Sequence, residues 1–428
     1  FSSTYERHRY KSFFIIKNQQ FKIGENGGIV DENDIEVALA PVNIPVQLSE
    51  ASNKLRNFNV NLTQVVPLIA WYNNKLSISH SFVYDRKKHF YSDVPSAYYA
   101  SILYDSLQTL DSTRIHALKN ILKLNLSALH TSWYLGYGNN LVAYFSNVDS
   151  TDFVENFIIA GSRFHDKKLK AELNLKHTFT GFYQGNFSAN GEVKYALTQL
   201  NDNDISMAVH FYNRRPDYFY WHFTANNFYW DTILNKEQIF SLHSFLNLWS
   251  NRLVLGINYY RWLHYGYFDS LFVYRQLPTE MNHFTLSGEL KVPLKHFYFH
   301  THVLYQRNSQ SAIIDFPDFV AMQSLNCQSW FFKKALFAQV GVSVNYFSSF
   351  YGRGYIPALL HFYAQQTDKI GNYPFIDAYI NLKIKRARFF FKLEHLNSGM
   401  SGANYFTAIH YPLQQRAFRF GISWSFYD

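Results

Sequence analysis

The stretch Ile376-Asp377-Ala378-Tyr379-Ile380-Asn381-Leu382-Lys383-Ile384-Lys385 decides the fold. Every second residue is aliphatic, and those between are polar, charged or tyrosine. Strand side chains point to opposite faces in turn, so a strand here has one wholly aliphatic face and one polar face. A helix needs its apolar residues three or four apart and would mix the two sets. The alternation continues outward. Phe389, Phe391 and Leu393 oppose Arg388, Phe390, Lys392 and Glu394, and Phe418, Phe420, Ile422, Trp424 and Phe426 oppose Arg419, Ser423, Ser425 and Tyr427. Upstream, Leu169, Ala171, Leu173 and Leu175 alternate with Lys170, Glu172, Asn174 and Lys176. Leu122 to Leu126 and Phe58 to Leu62 follow the same period.

Such strands need an apolar partner for one face. The mean hydropathy of −0.22 suits a soluble chain, but also a membrane barrel whose every second residue meets a wet lumen. No run approaches the roughly 18–20 apolar residues of a membrane helix. A chain of this kind therefore crosses lipid only as a closed barrel, because backbone groups must be satisfied within the wall. Aromatic residues make up 19% of the chain, with 41 Phe and 33 Tyr; such rings favour strands and membrane boundaries.

The connections sort into two classes. Short ones lie near Asn73–Asn74, Asp166–Lys168, Asn201–Asn203, Ser250–Asn251, Pro293–Lys295, Lys333–Lys334 and Lys385–Ala387. Long ones span Lys88–Thr113, Arg214–Lys236, Tyr267–Glu280, Tyr351–Tyr373 and Ser398–Gln415, with a further loop at Lys22–Leu48 that holds Pro41 and Pro45. Short turns at one end and long loops at the other mark an outer-membrane barrel. The expectation is an all-β, antiparallel up-and-down transmembrane barrel of about 18 strands, within about 16–20. It includes one strand at Arg9–Phe21 and forms a single domain over residues 1–428.

Several function classes fall away. The net charge of +9 is spread along the chain, whereas nucleic-acid binding wants it clustered. Cys327 is the one cysteine, which rules out an internal disulfide or a Cys-based zinc site. No phosphate loop, dinucleotide turn or His-Glu-x-x-His motif is present, and no cofactor or catalytic residue is expected.

The C-terminal residues Tyr373-Pro374, Lys385-Arg386-Ala387-Arg388, Glu394-His395-Leu396-Asn397, Asn404-Tyr405-Phe406 and Arg416 to Trp424, with the closing Phe426-Tyr427-Asp428, carry a family resemblance. So do Pro216-Asp217-Tyr218-Phe219, Asn226 to Trp230, and Glu25 to Ile29. These resemble the Putative porin family of Bacteroidota. The resemblance implies an outer-membrane barrel of porin-like role in a Gram-negative bacterium and names no substrate. Members carry further strand-like sequence ahead of the part that Arg9–Ile29 resembles, so the strand count is a lower bound for the native barrel.

Lys123, Lys170, Glu172, Lys176, Asp377, Lys383, Lys392, Glu394 and Arg419 fall on the polar faces and are the expected pore-lining residues. Cations exceed acids among them, which favours anions in a wet lumen. His300 and His302, with His296 and Tyr298 on the same face, read as polar wall residues rather than metal ligands. His80-Ser81 and His243-Ser244 point to opposite faces and cannot pair directly. The aromatic run Tyr218–Trp230 reads as girdle and loop packing, with a sugar- or partner-binding platform as the alternative. The expected function is passive diffusion of small hydrophilic solutes, with lipid and lipopolysaccharide around the wall. The alternative is a structural or accessory barrel beside other outer-membrane proteins, and a soluble glycan-binding β protein is the third reading.

Overall fold

The computed structural model describes residues 2–7, 10–30, 44–94, 97–198, 203–400 and 405–425. Pro41, part of the turn Asn201–Asn203, Asn404 and the closing Phe426-Tyr427-Asp428 lie outside the described residues. Among the described residues, nineteen strands form one antiparallel sheet in which each pairs with its neighbour along the chain. That is one more than the sequence suggests. The first segment is a hairpin, Ser2–Arg7 paired with Tyr10–Gly24, where alternation showed a single strand. Among the described residues the outermost strands, Ser2–Arg7 and Ala417–Trp424, each have one hydrogen-bonded neighbour.

The outward face carries the aliphatic stripes. Ile380, Ile384, Leu122, Leu124, Leu173 and Val193 are exposed, and Phe418, Phe420, Ile422 and Trp424 are each more than 60% exposed. Water would not tolerate so continuous an apolar surface, but lipid does. Two-residue turns close the short end. Tyr72, Lys295 and Lys385 take the left-handed conformation (φ 48°, 54° and 51°) that such tight hairpins demand of their first residue.

The strands Ser52–Trp71 and Asn74–Asp93 are 20 residues long and Thr109–Ser127 is 19. A tilted strand crosses lipid in about 9–11 residues, so these three continue past the belt at the long-loop end. Asn74–Asp93 and Thr109–Ser127 occupy the two ends of what the sequence presents as the loop Lys88–Thr113. Cross-strand pairing extends to Asp93↔Thr109, which shortens that loop to the residues between. The other long loops carry short strands of their own. Gly266–Phe268, Tyr274–Gln276, His361–Tyr363 and Gly354–Ile356 join into a four-stranded sheet assembled from two separate loops.

The protein's buried core lies in these loops rather than in the barrel wall. Leu48, Ala51, Tyr91, Tyr99, Phe223, Phe228, Phe268 and Ile356 belong to one cluster, contributed by five segments far apart in sequence.

Candidate functional site

The inner wall is built by the residues that alternate with the lipid stripe. On the strands Phe375–Ile384, Ala387–Glu394 and Ala417–Trp424, four of the expected pore-lining residues form one ion-paired chain. Lys392 Nζ lies 2.9 Å from Asp377 and 3.1 Å from Glu394, and Glu394 lies 2.5 Å from Arg419 Nε. Register explains the chain, since Lys392 sits directly opposite Arg419 and Glu394 reaches between them. Glu172 pairs with Arg163 at 3.0 Å on a different stretch of wall.

The remaining four are cations in no ion pair among the described residues, although Glu155 lies near Lys176. Lys123 Nζ lies 4.9 Å from the centre of the Tyr134 ring and Lys176 Nζ 4.4 Å from that of Phe157. The Phe157 ring itself covers Gly138, where a β-carbon would come within 2.3 Å of it. Lys170 faces Lys194 across the strand pair, and Lys383 faces Arg388. Wall acids are thus mostly neutralised in pairs, while several cations are not.

The histidines are wall residues. His300 bonds Glu289 at 2.7 Å, and among the described residues no group of three metal-ligating side chains forms. The hydroxyl that His243 meets is Ser241, two residues away on the same face, at 3.1 Å, with Asn258 Oδ1 at 2.9 Å on its other nitrogen. Ser241 is only 5% exposed. Its strand is paired along its length on both sides, so the neighbouring backbone donors are committed to the ladder.

At the long-loop end, loops from separate strand pairs pack against one another as a layer. The sequence Tyr218–Trp230 folds as one helical turn, Tyr218–Trp221, followed by a hairpin. Its rings turn inward. Phe219 contacts Phe223 and Trp230, Tyr220 stacks on Tyr274 at 4.3 Å, and Phe219 stacks on His361. Of the two structural roles expected for this run, loop packing is the one these rings fill. Tyr229 alone among them is largely exposed, at 60%.

Two buried amides fasten the layer. Asn53, fully buried on the wall, donates to Glu25 and to the Pro357 carbonyl (2.8 Å each) and contacts His89 at 2.5 Å. Burial raises the Glu25 carboxyl above its ordinary value, against the lowering effect of the Asn53 and Tyr355 hydrogen bonds. Asn226 accepts from the backbone N–H groups of Tyr104 and Asp105 and donates to the Asp105 carbonyl and Thr109. Sequence reading passed over both. An Asn in a loop is unremarkable until the strands that surround it are known.

Clefts remain in the layer. One of about 290 Å³ lies between Arg214, Asp217, Tyr220, Glu237, Trp262 and Tyr274. Another of about 480 Å³ is bordered by Tyr267, Asp269, Tyr363, Gln366 and Asp368. Both are lined by rings and hydrogen-bonding groups, a lining suited to small polar molecules.

The family described as Putative porin matches residues 1–428. No curated protein matches the chain in sequence. Among solved structures, the siderophore receptor PirA from Acinetobacter baumannii superimposes with a TM-score of 0.65 at 9% identity, covering 99% of this chain and 69% of that one. A mutant of the ferric enterobactin receptor PfeA from Pseudomonas aeruginosa gives 0.58 at 11% identity, covering 98% and 80%. The ferric yersiniabactin uptake receptor FyuA from Yersinia pestis gives 0.57 at 10% identity, covering 96% and 66%. At such identities the likeness concerns the barrel fold.

Proposed function

We propose that this chain, which belongs to the Putative porin family, is a channel for small hydrophilic solutes in the outer membrane of a Gram-negative bacterium of the Bacteroidota. Residues 1–428 act as one barrel domain, and lipopolysaccharide and lipid surround it. The observation that carries the reading is the inner wall. It is polar and half-buried along the strands, at Lys123, Glu172, Lys176 and Asn381, and Lys383 and Arg388 are exposed on it beside the turn at 385–386. A wall meant only as scaffold has no need of exposed ions facing inward. Lys123, Lys170, Glu172, Lys176, Asp377, Lys383, Lys392, Glu394 and Arg419 line the path in this reading. The unpaired lysines bias it toward anions, and no reaction is catalysed.

The loop layer sets the limit on flux. Diffusion proceeds through its clefts or after its partial opening, so the open barrel width is not what a solute meets. Planar-bilayer recording tests this. A small, anion-preferring conductance is expected, and it should grow when residues 218–232 are replaced by a short polar linker. Silence in both proteins would sink the channel reading. The aromatic packing of the layer supports the second reading, an accessory barrel of an outer-membrane complex, and a stoichiometric partner on purification together with that silence would favour it.

A further inference from the structure

Lys22, Lys54, Arg56, Arg86, Lys88 and Arg114 are scattered over nearly a hundred residues of sequence, and the sheet brings them together. Lys22 lies directly opposite Lys54, Arg56 opposite Lys88, and Lys88 opposite Arg114, so cations occupy adjoining positions across four neighbouring strands. Directly opposed side chains stand about 5 Å apart at Cβ, and like charges there oppose pairing.

Alternation places this cluster on the outside of the barrel. The buried residues of the same strand ends, Asn53, Tyr91, Asp93 and Thr109, hold the opposite parity and face the loop layer. Below the cations, the same outward faces carry Phe58, Val60 and Leu62, Phe82 and Tyr84, and Leu118, Leu122 and Leu124. Asn120 and His80 interrupt this face, and Leu118 to Leu124 spans about 20 Å along the strand, within the ~25 Å belt of an outer-membrane barrel. Rings mark its upper edge. Phe58 packs edge-on against Tyr84 at 6.3 Å, and the Tyr84 hydroxyl meets His116 at 3.1 Å. Lys88 Nζ rests 4.1 Å from the centre of the Phe90 ring.

None of the six cations has an ion-pair partner among the described residues. The nearest carboxylate of outward parity on the neighbouring strands, Asp152, stands two strands beyond Arg114. Six cations with no ion-pair partner among the described residues, stacked just above the apolar belt at the long-loop end, suit a polyanion held at headgroup depth.

We infer that this patch binds the phosphate groups of a phosphorylated glycolipid headgroup in the outer leaflet, with Arg56, Lys88 and Arg114 as its centre. Arginine forks suit phosphate oxygens, and the flanking rings sit at the depth where acyl chains begin. The inference rests on the outer-membrane reading above, and it places the long loops outside the cell.

Native mass spectrometry of the purified full chain in detergent tests it, with bis-phosphorylated lipid A as the probe. Reversing three charges, in Arg56→Glu/Lys88→Glu/Arg114→Glu, should weaken binding by roughly a hundredfold. Removing both phosphates from the lipid should do the same to the unaltered protein, and Lys334→Glu at the opposite end should change nothing. Resistance of the barrel to unfolding in unheated SDS checks the fold. If the triple reversal does not fold, Arg56→Gln/Lys88→Gln/Arg114→Gln serves, with a smaller loss expected. Binding that ignores these changes overturns the inference. So does displacement of the lipid by heparin at matched charge, which would make a soluble polysaccharide the partner. Conductance separates this from the channel reading, because the patch lies outside the lumen. A silent protein that still binds lipid A loses only the channel.

Discussion

The barrel wall and the loop layer above it are held together by different physics. In the wall, the backbone ladder holds the strands between the two outermost ones on both sides, and most of the outward apolar surface has no protein over it. Phe420 is 70% exposed and Ile422 63%, so their burial is left to lipid. In the layer, Phe223 is 6% exposed and Ile356 is fully buried, surrounded by rings from other loops. The wall is thus completed by its solvent, while the layer is a small globular core in its own right. Damage to one should leave the other standing.

The sharpest break of that comparison is a pair of substitutions. Phe223→Ala empties a site packed by Phe219 and Trp230 and should cost the layer about 3–5 kcal/mol. Hydrogen exchange should show loops 215–236 and 348–374 unprotected while the wall amides stay slow. Phe420→Arg does the reverse. Placed mid-strand against lipid, it should cost about 2–4 kcal/mol of barrel stability on refolding into vesicles, with the loops still protected in the molecules that fold. If Phe223→Ala opened the wall as well, layer and wall would be one cooperative unit.

The same division explains what could be read from the sequence. The wall was legible because a period of two is local. Ile376 to Ile384 shows its two faces with no knowledge of any partner. Pairing was not, since Asp377, Lys392, Glu394 and Arg419 lie on three strands and meet only through register. The outward cation patch was hidden for the same reason, with Arg56, Lys88 and Arg114 reading as dispersed charge until the strands align them. The layer was least legible. Tyr218–Trp230 has no period that separates a membrane girdle from loop packing, and the fasteners Asn53 and Asn226 take their meaning from segments as distant as Pro357 and Tyr104.

Within the wall, Lys392 offers a smaller effect with a distinct signature. Lys392→Met strands Asp377, whose side chain is only 6% exposed, beside Glu394 at 14%. Breaking a partly buried pair on one side leaves the other charge uncompensated, at about 2 kcal/mol here. The loss of a cation should also move the reversal potential in a salt gradient toward cation preference. A destabilised barrel with unchanged selectivity would make the chain a structural brace away from the solute path.

The smallest effect expected concerns pH and belongs to the layer alone. His361 contacts the Leu359 carbonyl through Nδ1 at 2.5 Å and the Tyr220 hydroxyl through Nε2 at 3.0 Å. That arrangement suits a neutral ring, with Nδ1–H donating to the carbonyl and Nε2 accepting from the hydroxyl. Protonation makes Nε2 a donor, so the Tyr220 hydroxyl must turn to accept and its own proton loses this partner. Burial likewise lowers the His361 value below the ordinary 6.5, outweighing the raising effect of the Leu359 contact. The sign follows. The unfolded loop takes up the proton more readily, so this contribution is whole above about pH 6.5 and is lost as pH falls toward the lowered folded value. Glu25 acts in the opposite sense, because its raised value favours the layer in acid. Its window lies above 4.5, so the carboxyl offsets part of what the histidine loses as the pH falls. Conductance should rise modestly between neutral pH and about pH 5, and His361→Gln should flatten the profile. A wild-type profile that His361→Gln leaves unchanged would assign the response to the wall histidines, and with it the gating role to the wall rather than to the layer.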